Sequence, residues 1–347
     1  MPAIRPFRNR LLPAPRDGGF RMDGYWIWCG SVVQGEDGRY HMFASRVDKR
    51  VRFSPHWLFM SEVVRASSDT PEGPYSFEEV VLPCRDPRFF DARSTHNPQV
   101  RKHGDTYLLY YLGVSYPEDP PTPECPVERD NPEHDAWYQR TWNRKRVGLA
   151  ISDSVCGPWE RMDAPILEPR PGNWDSFATT NPSPWIHDDG SVLLFYKSRT
   201  VDRGPLQIGM ARAPAIRGPY AAVADHPAFS FDDPEQHVED PYLWHEDGVY
   251  QVIMKDMTGG VCGAHHGGIH AWSANGEDWT VADDPLAYSR DVVWDDGATE
   301  TMGSFERPFL LIQDGRPTHL FAATADGPGG FWNADNTWNM CIPLAAD

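Results

Sequence analysis

A two-residue motif that contains several candidate catalytic side chains recurs five times along the chain, each time in front of a glycine or a proline. The five pairs are Trp28-Cys29, His96-Asn97, Thr180-Asn181, Glu239-Asp240 and Glu306-Arg307. The last two pairs contain carboxylates, and two carboxyl groups in different environments can act as the acid and the base of a hydrolytic reaction. Histidine and asparagine in the earlier pairs are suited to hydrogen-bond a substrate hydroxyl.

Further ionisable residues lie close to these pairs. Asp23 precedes the first pair and Asp175 precedes the third. Other candidates are the cations Arg46, Lys197, Arg199 and Lys255, at the ends of apolar runs, and His265 and His266, in a glycine-rich stretch. The cations either neutralise the acidic residues or bind a charged group of a ligand. The histidines fit substrate binding, acid–base chemistry or metal binding.

Each pair begins the same pattern: an apolar run, a short turn with glycine, and a second run rich in β-branched and aromatic residues. The turns are Asp37-Gly38, His103-Gly104, Asp189-Gly190, Asp247-Gly248 and Asp314-Gly315, which suit tight β-hairpins. Gly-Pro-aromatic turns then end at Tyr75, Trp159 and Tyr220, and a degenerate copy ends at Trp279. The pattern predicts five units of about four strands each, without a sustained helix.

Radial repetition of such units predicts an all-β fold, a five-bladed β-propeller with four-stranded antiparallel blades around a central channel. We expect a single domain over residues 1–347, with blades at about 23–82, 96–163, 180–224, 239–283 and 300–342. Residues 2–20 either supply the outer strand of the last blade or extend outward. A two-sheet sandwich is the alternative, but it does not explain a hairpin repeated five times.

The topology of a propeller brings the five pairs together. The first strand of each blade lines the channel, so the starts of these strands meet at one face. The connections on that face are long, most of all 114–146 and 256–268, and long loops are often functional. We therefore expect a cavity at the axis on this face, in which carboxylates, cations and aromatic rings such as Trp28 are suited to a sugar.

The openings Asn97-Pro98, Asn181-Pro182 and Asp240-Pro241, with the Gly-Pro-aromatic turns, resemble those of the five-bladed propeller glycosidases of families 43, 62, 117 and 130. The resemblance covers about residues 23 to 342. In families 43 and 62, blades 1 to 3 carry an Asp base, a pKa-tuning Asp and a Glu acid, whereas this chain has Cys29, Asn97 and Asn181 there. The family 43 triad is therefore absent. The acids lie in blades 4 and 5, which is closer to family 117.

The resemblance implies a glycoside hydrolase that acts on a small oligosaccharide. We expect Glu239 to be the proton donor and Asp23 or Asp175 to be the base that activates water, with Glu306 as a further catalytic carboxylate. The residues expected to bind substrate are Trp28, His96, Asn97, Asn181, Asp240, Arg307, Arg46, Lys197, Arg199, Lys255, His265 and His266. The cations point to a sugar with a uronate, sulfate or phosphate group. A phosphate-dependent glycoside phosphorylase and a non-catalytic carbohydrate-binding propeller are the alternatives.

Composition restricts the partners and the location. The 347 residues have a formal net charge of −18, which argues against nucleic acid and anionic membranes as partners. The sequence has neither an 18-residue apolar run nor a signal-peptide pattern, and its six cysteines are scattered. We therefore expect a cytoplasmic protein with reduced thiols that acts in polysaccharide degradation. No spacing demands a metal or another cofactor, although a divalent cation in the channel and a homo-oligomer are both compatible with the sequence.

Overall fold

The computed structural model describes residues 5–119, 121–124, 126 and 134–346, without the side chains of residues 134–136. Five antiparallel sheets surround a common axis, so the predicted all-β, five-bladed propeller is confirmed. In blades 1 to 4 the strands are hydrogen-bonded in chain order, from the inner strand outward. The inner strand of each blade therefore begins at the axis, as the propeller topology requires.

The bounds of the blades differ by a few residues from those predicted. Blade 1 contains β1 (Tyr25–Gln34), β2 (Tyr40–Asp48), β3 (Glu62–Ser68) and β4 (Ser76–Leu82). Blade 2 contains β5 (Ser94–His103), β6 (Thr106–Val114), β7 (Arg146–Ser152) and β8 (Glu160–Arg161). Blade 3 contains β9 (Thr180–Ile186), β10 (Val192–Ser198), β11 (Gln207–Ala213) and β12 (Ala221–Ala222). Blade 4 contains β13 (Val238–Glu246), β14 (Val249–Asp256), β15 (Gly268–Ser273) and β16 (Thr280–Tyr288).

Blade 5 differs from the four-stranded pattern. A separate hairpin, β17 (Asp291–Val293) and β18 (Thr299–Thr301), precedes β19 (Ser304–Gln313), β20 (Arg316–Ala325) and β21 (Thr337–Pro343). These last three strands form the sheet. On the other edge of β21, Asn339 exchanges two backbone hydrogen bonds with Phe20. The N-terminal segment thus covers the edge that a fourth strand would occupy.

Short helices lie in the connections. They are α1 (Phe53–His56), α2 (His134–Trp142), and the 3-10 turns Phe7–Arg10 and Gly330–Trp332. The sequence did not predict α2, because its helical conformation is supported by tertiary packing: the Trp137 ring contacts those of Phe59 and Tyr116, with centroids 5.7 and 5.2 Å away. No helix in the described part of the chain is long and apolar enough to cross a membrane.

The aromatic residue of each repeated turn packs against the preceding blade. Trp159 of blade 2 contacts Phe43 of blade 1 with ring centroids 5.2 Å apart, and Trp279 of blade 4 contacts Phe195 of blade 3 at 4.8 Å. Two more turns follow the same rule: Tyr75 packs on Phe321 and Tyr220 hydrogen-bonds Tyr110. The repeat that identified the blades in the sequence therefore also joins them.

Every inner strand has an irregularity at the same place. The pairing register shifts just after the repeated motif in β1, β5, β9, β13 and β19. The second residue of each motif has a left-handed backbone, with φ of 55° at Cys29, 53° at Asn97, 53° at Asn181, 58° at Asp240 and 56° at Arg307. Asn and Asp tolerate this conformation, whereas Cys and Arg adopt it at a cost. Such bulges re-aim side chains, here toward the axis.

The N-terminal segment contacts both blade 4 and blade 5 and so connects them. Phe7 packs against Trp244 at 5.8 Å, and Arg10 pairs with both carboxylate oxygens of Glu246, at 3.1 and 3.0 Å. Leu12 N–H then donates to Pro343 C=O in blade 5. Of the two arrangements left open for residues 2–20, the described part runs along blade 5 rather than outward.

The Arg10→Met variant tests this connection. The Glu246 side chain is 2% exposed, so loss of Arg10 leaves a buried carboxylate without its cation, and we expect the free energy of unfolding to fall by about 3 kcal/mol. Arg8 of the same turn forms an exposed pair with Asp284, with side chains 49% and 33% exposed. Arg8→Met is therefore the matched control, with an expected loss below about 1 kcal/mol. Equal losses in urea denaturation would contradict the role of Arg10.

Candidate active site

A cavity of about 290 Å³ lies at the axis, at the face where the inner strands begin. Its walls come from the connection between the second and third strand of every blade. These wall residues are Phe53, Trp57, Tyr138, Trp142, Leu206, Met257, His266, Phe331 and Trp332. This is the face on which the sequence analysis expected the site. A larger groove of about 760 Å³, beside Trp294 and Trp338, contains none of the paired residues.

The floor of the cavity is a ring of five side chains, one from each blade. Cys29 Sγ donates to Asn97 Oδ1 at 2.8 Å, and Asn97 Nδ2 donates to Asn181 Oδ1 at 2.8 Å. Asn181 Nδ2 and Arg307 Nη1 both donate to Asp240 Oδ1, each at 2.6 Å. The charge of Arg307 also acts on the Cys29 thiol, so the two ends of this series of hydrogen bonds lie close together. All five residues have the left-handed backbone described above, so the bulges position this ring.

Two of the five ring residues are charged, Asp240 and Arg307, and they form an ion pair. Burial raises the pKa of Cys29, which keeps the thiol protonated as a donor. Burial opposes the charge on Arg307, but Asp240 outweighs this effect and raises the pKa of the guanidinium. Hydrogen bonds therefore run from the thiol, through two amides, to the carboxylate, which also accepts one from the cation.

The residues that precede ring members in blades 4 and 5, Glu239 and Glu306, carry the other two carboxylates of the cavity. Lys255 Nζ lies 3.3 Å from Glu239 Oε1 and 2.8 Å from Glu306 Oε1. Lys197 Nζ lies 2.5 Å from Glu239 Oε2. Glu239 thus has two ammonium partners, whereas Glu306 shares one of them.

This difference separates the pKa values of the two carboxyl groups. Burial alone would raise the pKa of Glu239, but Lys197 and Lys255 outweigh it and hold the pKa well below its usual range. Burial raises the pKa of Glu306, Lys255 opposes the rise, and the negative charges of Glu239 and Asp240 add to it. Glu239 is therefore ionised, which conflicts with the proton-donor role expected from the sequence. Glu306 is the carboxyl group better able to hold a proton.

Two neutral histidines line the same cavity. Burial, with Arg307 nearby, lowers the pKa of His96 well below its usual value, and His96 Nδ1 is 2.7 Å from Ser61 Oγ. Burial and Lys255 lower the pKa of His266 to about 3. His265 stacks on His266 with ring centroids 4.0 Å apart but does not line the cavity. Of the three histidines expected to bind substrate, the structure brings His96 and His266 to the site but not His265.

Most of the other predicted residues line the cavity. They are Trp28, His96, Asn97, Asn181, Lys197, Arg199, Glu239, Asp240, Lys255, His266, Glu306 and Arg307. Asp23 does not, because it is exposed and lies in a separate groove beside Tyr25 and Trp338. Asp23 is therefore not placed to act as the predicted base.

Asp175 and Arg46 also point away from the site. Asp175 accepts a hydrogen bond from Tyr196 at 2.6 Å and pairs with Arg170 at 3.0 Å. Tyr196 adjoins Lys197, so the two side chains lie on opposite faces of β10. The strand register explains the position of Arg46. In blade 4 the first motif residue, Glu239, pairs with Lys255, whereas in blade 1 the first motif residue, Trp28, pairs with Ser45. Arg46 lies one residue beyond Ser45, so its side chain is on the other face of the strand, where it pairs with Glu62 at 2.8 Å.

Lys145, Trp142, Trp57 and Tyr138 line the cavity but were not predicted. They lie in connections that differ from blade to blade, so the repeat gave no signal for them. The aromatic and basic content of the stretch 137–145 is the one sequence feature that could have identified Lys145.

The donor set does not favour a metal ion. Oxygens of Glu239, Asp240 and Glu306 lie within 4.8 Å of one another, a spacing that could hold a cation. The ammonium groups of Lys255 and Lys197 already lie against these oxygens. A divalent cation would have to displace them, and repulsion between the charges would oppose its binding.

Comparison of structures supports the same fold. No protein-family model and no curated protein sequence matches the chain. A family 117 glycoside hydrolase of the marine bacterium Zobellia galactanivorans superposes with a TM-score of 0.65 and 17% identity, over 97% of this chain and 92% of that one. A thermostable family-43 glycoside hydrolase gives 0.60 and 14%, over 97% and 93%. An endo-arabinase of Bacteroides thetaiotaomicron gives 0.57 and 11%, over 97% and 98%.

The protein thus has the five-bladed propeller fold that is found in several glycoside hydrolases. The resemblance noted in the sequence is confirmed at the level of the fold. At these identities, the comparison does not transfer an activity or a catalytic residue.

The Asp240→Asn variant tests the ring. It removes the negative charge from the pair with Arg307, whose side chain is 8% exposed, and we expect the free energy of unfolding to fall by about 3 kcal/mol. The double variant Asp240→Asn/Arg307→Gln removes both charges and should recover part of the loss, as measured by urea denaturation. A double variant less stable than the single one would show that the ion pair is not the reason.

Proposed function

We propose that the protein is a glycoside hydrolase that acts on a small carbohydrate, with Glu306 as the acid and Glu239 as the ionised carboxylate. One observation carries the proposal: two carboxyl groups face the same axial cavity, and their surroundings move their pKa values in opposite directions. Glycosidic bonds are cleaved by such a pair. The folds of the compared structures agree with this function.

The two carboxyl groups have complementary tasks in this reaction. Glu306 donates its proton to the glycosidic oxygen while the bond from that oxygen to the anomeric carbon breaks. Glu239 attacks the anomeric carbon and forms a glycosyl ester, so positive charge on the sugar is neutralised. Water, deprotonated by Glu306, then releases the sugar and regenerates both groups. Lys255 and Lys197 keep Glu239 ionised before it attacks, and they stabilise it again when it leaves as a carboxylate.

Aromatic side chains form the mouth of the cavity. Trp28 contacts Phe53 and Phe331, with ring centroids 5.1 and 5.8 Å away. Phe331 in turn contacts Trp332, which is 39% exposed. The apolar faces of sugar rings pack well against such surfaces. Carbohydrate is therefore the ligand class that the carboxylates and the rings fit together.

Phosphorolysis is the second candidate, because the cavity is lined by five cationic side chains against three carboxylates. A phosphate ion could then replace water as the group that accepts the sugar. Turnover that requires inorganic phosphate would favour this reaction over hydrolysis.

Glutamine variants test the two roles. On a panel of neutral and anionic oligosaccharides, Glu306→Gln and Glu239→Gln should each lower kcat/KM by roughly 10²- to 10⁴-fold, while circular dichroism shows a folded protein. Asp23→Asn is the control, because its carboxylate is exposed and outside the cavity. It should leave kcat/KM unchanged. A large loss in Asp23→Asn with activity retained in Glu306→Gln would refute the assignment.

The stereochemistry of the product provides an independent test. The nearest oxygens of Glu239 and Glu306 lie within 4.8 Å, and Lys255 lies against both. Inverting enzymes leave about 6.5–9.5 Å for a water molecule, whereas retaining enzymes use about 5–5.5 Å. We therefore expect retention of the anomeric configuration, measured by proton NMR of the product first formed. An inverted first product would exclude Glu239 as the nucleophile.

A further inference from the structure

Cations outnumber carboxylates in the axial cavity, although the whole chain has a net charge of −18. Three of the five cations are paired with the carboxylates of the site: Lys197 and Lys255 with Glu239, and Arg307 with Asp240. Lys145 and Arg199 remain. They lie together on one wall of the cavity, beside Trp142.

Lys145 is a buried amine without a counter-ion in the described part of the chain. The residue is 2% exposed, and no described carboxylate lies within 4.0 Å of its Nζ. Its neighbours are aromatic: Nζ is 3.7 Å from the ring centroid of Trp142 and 4.5 Å from that of Trp57. Burial lowers the pKa of Lys145 well below its usual value, and the nearby Lys197 and Arg199 lower it further.

Arg199, in the same wall, has an N–H group that donates no hydrogen bond to a described residue. Its Nη2 donates to Asp202 at 2.8 Å, but its buried Nε has no hydrogen-bond partner among the described residues. The guanidinium carbon lies 3.7 Å from the centroid of Trp142 and 4.9 Å from that of Phe177. Cations and aromatic rings are thus interleaved along this wall.

An arrangement of this kind is costly without an anion. Cation–π contacts compensate for part of the lost hydration of Lys145 and Arg199. Asp202 pairs with Arg199 and Glu239 with Lys197, but Lys145 has no paired carboxylate against the repulsion from these two cations. The negative charge of Glu239 offsets this repulsion only in part, because two lysines already pair with its oxygens. A negatively charged ligand group would relieve the repulsion and accept hydrogen bonds from both side chains.

We propose that Lys145 and Arg199, with Lys197 behind them, bind an oxyanion next to Glu239 and Glu306. The group is a carboxylate or sulfate carried by the sugar, or an inorganic phosphate ion bound beside it. The inference rests on the proposed function only in taking the ligand to be a carbohydrate. The cationic wall itself would bind an oxyanion whatever reaction follows.

Binding of matched sugar pairs by isothermal titration calorimetry tests this inference. The probes are glucuronate and glucose, galacturonate and galactose, galactose 6-sulfate and galactose, and inorganic phosphate and sulfate alone. We expect at least one anion to bind roughly tenfold or more tightly than its neutral counterpart or, for an inorganic anion, than chloride, because a charge-assisted hydrogen bond is worth at least that factor. Lys145→Met should remove most of this preference, and Lys145→Arg should keep it.

Lys49→Met is the matched control. Lys49 also lies over a tryptophan, with Nζ 4.9 Å from the Trp26 centroid and 2.9 Å from Asn336 Oδ1, but outside the cavity. It should bind the anions as wild type does. Methionine is long and flexible enough to fill the space between the rings, and the melting temperature checks that Lys145→Met is folded.

The outcomes separate this inference from the proposed function. Tighter binding of anionic sugars identifies the sugar as the source of the oxyanion, whereas phosphate binding with phosphate-dependent turnover identifies the free ion. Equal binding of anionic and neutral sugars without binding of the inorganic anions overturns the inference, as does unchanged anion binding in Lys145→Met. Anion binding without turnover of any sugar would refute the hydrolase and leave the anion site in place.

Discussion

The ring of Cys29, Asn97, Asn181, Asp240 and Arg307, which four hydrogen bonds join in series, is the constraint on which the site depends. Each blade contributes one member through a bulge with a left-handed residue, so the ring fixes the relative positions of five strand starts. The ring therefore also fixes the positions of the residues next to its members in sequence. Glu239 and Glu306 face one cavity because their neighbours Asp240 and Arg307 are joined directly, at 2.6 Å.

The fold could be predicted because its signal is local and repeated. The hairpin turns and the Gly-Pro-aromatic turns recur in sequence, and the latter also carry packing between blades. The same repeat predicted the site where a residue is tied to it, as for Glu239, Glu306 and His96. Asp23, Asp175 and Arg46 are near the strand ends in sequence, but their side chains do not line the cavity. For Arg46 the reason is the register of the strand pairing. Lys145 could not be found from the repeat, because its connection has no counterpart in the other blades.

Local charge, rather than the charge of the chain, sets the chemistry of the cavity. An acidic chain would suggest an acidic site, yet lysines from β10 and β14 pair with Glu239, and five cationic side chains line the cavity against three carboxylates. The register that excludes Arg46 also places Lys255 opposite Glu239. Glu239 and Glu306 are chemically identical side chains, but their pKa values shift in opposite directions, because Glu239 has two ammonium partners and Glu306 shares one of them.

The amides and the thiol of the ring explain how the acids can lie in blades 4 and 5. If Cys29, Asn97 and Asn181 were carboxylates, as blade openings are in families 43 and 62, the axis would hold up to six acidic groups within a few side chains of each other. Their mutual repulsion would raise several pKa values at once. Cys29, Asn97 and Asn181 instead form neutral hydrogen bonds that end at Asp240, and the nearest partners of the two lysines are Glu239 and Glu306. The absence of the family 43 triad and the presence of Lys197 and Lys255 are thus parts of one electrostatic arrangement, which moves the pKa values of Glu306 and Glu239 in opposite directions.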